Sequence, residues 1–230
     1  MIEPALRIYI VIAAFNEADV IAGTVQPLIE LGYTVVVVDD GSRDRTSTVL
    51  ADLPVFKLRH PMNLGQGAAL QTGTDFCLRR GADIIVHFDA DGQHDPAQVK
   101  DLIHPIRSGA AEVVFGSRFL RANDLKLVPL KKRLLLRGGR IISGILTGVW
   151  LTDTHNGFRA LSNKAASLIR VRENGYAHAT EILEEVRRTG LKYVEVPATI
   201  RYTDYSLAKG QPASNGVAIV FDLLVRKIFK

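Results

Sequence analysis

The sequence predicts an α/β fold: a sheet of mostly parallel strands, covered by helices on both faces and completed by a lobe from the second half of the chain. Short β-branched runs alternate with helical patterns through residues 1–116, as expected of βαβ units with right-handed crossovers. The runs are apolar almost without interruption, as strands buried on both faces are. Two of them end in clustered acids, at the strand ends where open α/β sheets place their ligands.

The strands, in order, are RIYIVIA (7–13), TVVVVD (34–39), VFKL (55–58), DIIVHF (83–88) and EVVF (112–115). Between them Glu17–Leu31, Arg45–Leu53, Gln66–Arg80 and Pro96–Ser108 carry helical spacing. Gly32 and Gly81 fall where helices stop and Pro96 where one starts. Pro27 inside the first pattern predicts a kink or a late start. Beyond residue 116 the pattern changes. A basic stretch rich in Leu and Ile (Val128–Val149) precedes a polar loop, TDTHNGFRALS (152–162). A helix (Ala179–Thr189), a strand (KYVEVPATI, 192–200) and a tail ending FDLLVRKIFK follow.

No linker divides the chain, so its 230 residues are read as one domain: 1–116 as one half, 117–205 as the second, and 206–230 as a tail. Hydrophobic residues make up 47% and charged residues 23%, the balance of a globular chain. A single cysteine, Cys77, excludes an internal disulfide framework and fits a reducing compartment. The N-terminal residues do not read as a secretory signal. No apolar run is long enough to predict a membrane-spanning helix. The net charge of +5 points weakly to an anionic partner. Its distribution is more telling: no acid lies between Asp124 and Asp153, whereas Lys126, Lys131, Lys132, Arg133, Arg137 and Arg140 crowd one end of that window. No nucleic-acid module accompanies this charge, so no nucleic-acid partner is predicted.

In HFDADGQHDP (87–96), Asp89 and Asp91 are two apart and so point the same way. Two carboxylates at a strand end suit a hard cation, Mg²⁺ or Mn²⁺, with positions left open for phosphate oxygens; Gln93 adds a neutral oxygen. The plainer reading is a solvated acidic turn capping the next helix. Asp39 and Asp40 close the earlier strand, as acids that accept from ribose or base, or else as turn-shaping groups with Ser42. GQGAAL (65–70) has two of the three glycines of a dinucleotide fingerprint and reads better as helix-start packing.

Taken in order, IVIAAFNEADVI, VVVVDDGSRDRT, NLGQGAAL, HFDADGQHDP, VVFGSRF and TDTHNGFRALS resemble family 2 glycosyltransferases. The likeness is to the polyprenyl-phosphate branch typified by dolichyl-phosphate mannose synthase, and it covers roughly residues 7–205. It implies a GT-A fold: a nucleotide-sugar-binding half with a mixed central sheet, extended by an acceptor-side half. By position it implies that Ala13 (where the family usually has Pro), Phe15, Glu17, Asp39 and Asp40 contact the donor. Asp89, Asp91 and Gln93 then hold the metal, with Asp91, Asp153 and Arg118 as the catalytic set. Arg118, Arg133 and Arg137 meet the acceptor phosphate. Asn156, Gly157, Arg159 and Glu181 fall in acceptor-side motifs. The sequence departs from the family at YTDYSLAKGQ, where Tyr205 stands in place of an Arg; diphosphate contact then passes to Lys209 or Arg201. His94 is expected beside the metal site or exposed, and not as a ligand.

The implied reaction is inverting, metal-dependent transfer from a UDP- or GDP-sugar to a polyprenyl phosphate. Such an acceptor is largely ionised at neutral pH, its second pKa lying near ~6, so it needs positioning more than a strong base. The basic, apolar segment 126–150 then reads as a membrane-surface helix, or otherwise as core packing. The tail reads as a second membrane contact or a docking strip for an integral membrane partner. On this reading the chain is cytoplasmic and peripheral on the cytoplasmic face of the membrane. Two rival readings are a soluble enzyme acting on a sugar hydroxyl, which needs a clear general base, and an inactive nucleotide-sugar-binding module.

Overall fold

The computed structural model describes residues 6–120, 144–145, 147–154, 156–175 and 177–201. Arg133, Arg137, Tyr205, Lys209, most of segment 126–150 and the tail lie outside the described residues. The elements in chain order are β1 (Ile8–Ala14), α1 (Ile21–Glu30), β2 (Thr34–Asp39), α2 (Thr46–Ala51), β3 (Phe56–Arg59), α3 (Gln66–Arg79) and β4 (Ile84–His87). They continue with a 3₁₀ turn (Pro96–Gln98), α4 (Val99–Arg107), β5 (Val113–Ser117) and β6 (Arg159–Ser162). The last are α5 (Asn163–Leu168), α6 (His178–Thr189) and β7 (Tyr193–Pro197).

The strands form one seven-stranded sheet in the order β3-β2-β1-β4-β6-β5-β7. β6 alone runs antiparallel, to β4 on one side and β5 on the other. Alternation along each strand divides the core into two layers. Ile10, Ile12, Val35, Val37, Ile84 and Val86 pack with Ile21, Val25, Leu28 and Leu102 on the face of α1 and α4. Val11, Val36, Ile85, Val113 and Leu161 pack with Leu70, Cys77, Ile182 and Leu183 on the face of α3 and α6. Because both faces are covered, β1, β2, β4 and β5 read as largely apolar runs.

Two sequence expectations need correction. Residues 152–162 were expected to be a polar loop, but Arg159–Ser162 lie in the middle of the sheet. Arg159 is only 3% exposed, and a charge at a buried strand position imitates a loop in the sequence. Ser162 then accepts from the Ala165 N–H and caps α5, a helix the pattern did not predict. The first helix begins at Ile21 instead of Glu17 and continues through Pro27. Residues 17–20 form a turn in which the Glu17 carbonyl accepts from the N–H groups of Val20 and Ile21. The Pro96 helix opens as a 3₁₀ turn, with Asp95 accepting from the Ala97 N–H before α4.

Candidate active site

The chain order reverses beside β1, with β2 on one side and β4 on the other, and such a switch point opens a crevice at the carboxyl ends of the strands. The loop after β1 is stitched to the loop after β2. Asn16 N–H donates to Ser42 Oγ at 2.9 Å, Arg43 N–H to Asn16 Oδ1 at 2.8 Å and Glu17 N–H to Thr46 Oγ1 at 2.8 Å. These bonds hold Phe15, 37% exposed, beside the buried Glu17. Ala13 pairs in register with Val38.

Asp39 and Asp40 part company. Asp39 Oδ1 accepts from the Ser42 N–H at 2.9 Å. Its Oδ2 lies 3.1 Å from Arg59 yet accepts no hydrogen bond. Asp40 Oδ1 meets His60 Nδ1 at 2.7 Å and the Leu64 N–H at 2.9 Å, and Oδ2 takes the Gly65 N–H at 2.7 Å. Both oxygens are engaged inside the protein, and Asp40 anchors the 60–65 loop.

That loop leads into GQGAAL, which acts as a packing surface. A Cβ on Gly67 would overlap the Glu173 carbonyl oxygen, and Gly67 N–H donates to the Asn174 carbonyl at 2.8 Å. Glu181 Oε2 shapes the covering loop by accepting from the N–H groups of Arg172 and Glu173, each at 2.8 Å. Glu181 therefore braces this loop. Gly67→Ala is expected to destabilise the fold by about 1–3 kcal/mol through overpacking, read as a lower urea midpoint; an unchanged midpoint would contradict the packing account.

Asp89 and Asp91 follow β4. Asp89 Oδ2 accepts from His94 Nε2 at 2.9 Å, and Oδ1 takes Gln66 Nε2 at 3.3 Å. His94 is buried between Phe158, stacked at 5.0 Å, and Phe88. It supports Asp89 from behind, as the sequence reading allowed. Gly157 lies so close that a Cβ there would collide with both Asp89 oxygens. Asp91 Oδ1 accepts from the Gln93 N–H at 3.0 Å, and the Gln93 carbonyl accepts from the Arg201 N–H at 2.9 Å. Arg201 also pairs with Asp95 at 3.0 Å, which keeps a cation beside this turn.

Charge divides the two carboxylates. Burial works against ionised Asp89, but the His94 hydrogen bond and the positive field of His94, Arg159 and His178 hold it below its ordinary value. Burial pushes Asp91 up, and the Asp89 charge pushes it further. Behind them, burial lowers Arg159 to about 10 and His178 to about 4. At neutral pH Arg159 is therefore the buried cation of this layer, and its Nε donates to the Gly157 carbonyl at 3.3 Å. The sequence placed Arg159 in a motif but gave no sign that it would sit under Asp89.

Among the described residues no three His, Cys, Asp or Glu side chains gather as a closed ion cage. Two neighbouring carboxylates whose mutual repulsion raises one pKa fit a divalent cation that keeps positions open for phosphate oxygens. If they bind one, a proton on Asp91 competes with it. Mn²⁺ affinity is then expected to be full above the raised Asp91 pKa and to fall as pH drops through it. The loss begins at higher pH than an ordinary carboxylate would give; titration of free Mn²⁺ by electron paramagnetic resonance across pH checks this.

The acceptor side stands at the end of β5. Arg118 holds Asp153 in a fork: Nε to Oδ2 at 2.6 Å and Nη2 to Oδ1 at 2.7 Å, with the Arg118 N–H adding a bond to Oδ2 at 3.1 Å. The Asp153 side chain is 2% exposed and that of Arg118 20%. Asn156 Oδ1 accepts from the Phe158 N–H at 3.1 Å and so shapes the turn carrying Gly157.

Comparison with known proteins gives the family and the fold. The family described as Glycosyl transferase family 2 matches residues 9–169. A UDP-N-acetylglucosamine–dolichyl-phosphate N-acetylglucosaminyltransferase of Methanococcus voltae is 34% identical over 97% of this chain and 97% of its own. A polyprenol monophosphomannose synthase of Mycolicibacterium smegmatis is 28% identical over 90% of this chain and 82% of its own. Glucosyl-3-phosphoglycerate synthase of Mycobacterium tuberculosis, solved with Mn²⁺, UDP and glucosyl-3-phosphoglycerate, superposes with a TM-score of 0.68 at 20% identity, covering 96% of this chain and 78% of that one. The shared architecture is the GT-A fold.

Proposed function

Because the chain belongs to glycosyl transferase family 2, we propose that this glycosyltransferase moves a sugar from a UDP-sugar to a polyprenyl phosphate, with inversion, at a membrane surface. The observation that carries the acceptor assignment is the Arg118–Asp153 fork. Transfer to a hydroxyl needs a carboxylate free to take a proton. Both Asp153 oxygens are instead engaged by Arg118, so the pair presents a fixed guanidinium, the group suited to bidentate phosphate recognition.

On the donor side, Asp39 Oδ2 has a lone pair for a ribose hydroxyl, and Phe15 and Glu17 border the same crevice. Asp89 and Asp91, with Gln93, would hold Mg²⁺ or Mn²⁺, which when bound offsets the charge of the leaving diphosphate. Arg201, beside Gln93, adds a cation at that edge, and Lys209 is the further candidate. His94 and Gln66 fix the Asp89 carboxylate, so this ligand is oriented before donor arrives. The preformed donors and charges then act without reorganisation during transfer. Arg118 holds the acceptor oxygen for in-line attack on the anomeric carbon, while Arg133 and Arg137 are assigned to the same phosphate.

The name of the Methanococcus relative, with its UDP-sugar donor and dolichyl-phosphate acceptor, supports both substrate classes. Membrane-surface action is supported by the exposure of Leu120 (42%), before the basic segment, and of Ile145 (67%) and Trp150 (55%), near its C-terminal end. No helix among the described residues is long and apolar enough to cross a membrane. The test supplies polyprenyl phosphate and Mg²⁺ or Mn²⁺ to the full chain with a panel of labelled UDP- and GDP-sugars. Chelator-sensitive label in the butanol phase from one UDP-sugar is expected. Donor binding with no transfer to any lipid would overturn the proposal.

A further inference from the structure

The segment that presents Asp153 to Arg118 is held from the edge strand of the sheet. Glu195 lies in the middle of β7, opposite Phe115 of β5. Its Oε1 accepts from the Thr152 N–H at 2.8 Å, the Thr152 hydroxyl at 2.8 Å and the Asp153 N–H at 3.2 Å, and Oε2 takes the Thr152 N–H at 2.9 Å. Ser117 Oγ closes the far side of Thr152 Oγ1 at 2.5 Å. One carboxylate thus gathers consecutive backbone N–H groups and a hydroxyl, fixing the short segment that presents Asp153. Asp153 then takes Arg118 in its fork.

We propose that Glu195 is a positioning residue for the acceptor phosphate, acting through Thr152 and Asp153 to aim the Arg118 guanidinium. Its kinetic consequence rests on the reading above that Arg118 meets that phosphate. The chemistry makes the chain directional. The groups that face Glu195, the Thr152 and Asp153 N–H and the Thr152 hydroxyl, all donate, so the group that gathers them has to be an acceptor. Arg118 offers only donors, so the link between it and the backbone segment has to be another acceptor, Asp153. An amide at position 195 keeps one acceptor oxygen but turns an NH₂ towards the Thr152 N–H. The segment must then rotate or lose a bond, and the fork moves with it.

The test uses Glu195→Gln in the full chain, with Glu195→Asp as a second variant that keeps the charge but draws it back by one methylene. The first readout is independent of any reaction: the ¹⁵N–¹H signal of the Arg118 side-chain Nε–H, identified by its loss in Arg118→Lys. Held in a fork it is expected to be sharp in the parent, and to broaden or shift in Glu195→Gln. The second is steady-state kinetics. The polyprenyl phosphate KM is expected to rise roughly 10- to 100-fold, the scale of a small misplacement of a positioning group, with the donor KM within about twofold. The third is coupling: Glu195→Gln added to Arg118→Lys costs little more than Arg118→Lys alone, because both break one relay. An unmoved Arg118 signal, or additive losses in the double variant, overturns the relay. A moved signal with an unchanged acceptor KM leaves the relay standing and overturns the assignment of Arg118 to the acceptor phosphate.

Discussion

Asp91→Asn is expected to lower sugar transfer about 100- to 10,000-fold and to abolish tight Mn²⁺ binding, while leaving the fold intact. A catalytic cation contributes several kcal/mol to the transition state, and each ~1.36 kcal/mol is a factor of ten in rate. Asparagine keeps the shape of the side chain and an oxygen that can still accept from the Gln93 N–H. What it removes is a charge that burial and Asp89 already disfavour. Relief of that repulsion should leave the variant as stable as the parent or more so, a common trade at functional sites. Thermal melts with Mn²⁺ titrations separate the two effects. A variant that transfers sugar at the parental rate would end the metal assignment.

Gly157→Ala is expected to come close to the same loss from the opposite side of the site. Its Cβ would land on both Asp89 oxygens, so the carboxylate has to move. Gly157 lies just before β6, which is paired on both sides, and Asp89 follows β4 with its carboxylate bound by His94. The carboxylate must swing out, breaking the His94 contact. Transfer should then fall about 100-fold or more, the scale of misplacing a catalytic group. Overpacking should cost about 1–3 kcal/mol of stability. Weakened Mn²⁺ binding together with a lowered melting temperature would bear this out. Parental Mn²⁺ affinity would show that Asp89 is not a ligand.

The parts legible in the sequence were those whose determinants are local. Strands β1, β2, β4 and β5 announced themselves because two-face burial demands apolar runs, whereas Asp89 and Asp91, read as one face of a strand, lie beyond the end of β4. β6 stayed hidden because Arg159 occupies a position where hydrophobic pattern predicts an apolar residue. Asp39 and Asp40 look alike in sequence; only the 60–65 loop, folding back onto Asp40, divides their roles. Glu195 sat in a predicted strand with nothing to mark it, since its partners are Thr152 and Asp153, 43 and 42 positions away. Glu181 falls in a helix the pattern predicts, but the loop it braces, which covers the start of α3, is set by contacts the pattern does not carry.

The nucleophile proposed is a phosphate, because among the described residues the acceptor side offers Arg118 held by Asp153 in place of an unengaged carboxylate at that position. The most direct measurement offers the full chain labelled UDP-sugar and Mg²⁺ with polyprenyl phosphate and free polyprenol side by side. The account predicts label on the phosphate alone, in a product that mild acid cleaves to free sugar. Label on the free alcohol, at a rate comparable to that on the phosphate, would contradict it.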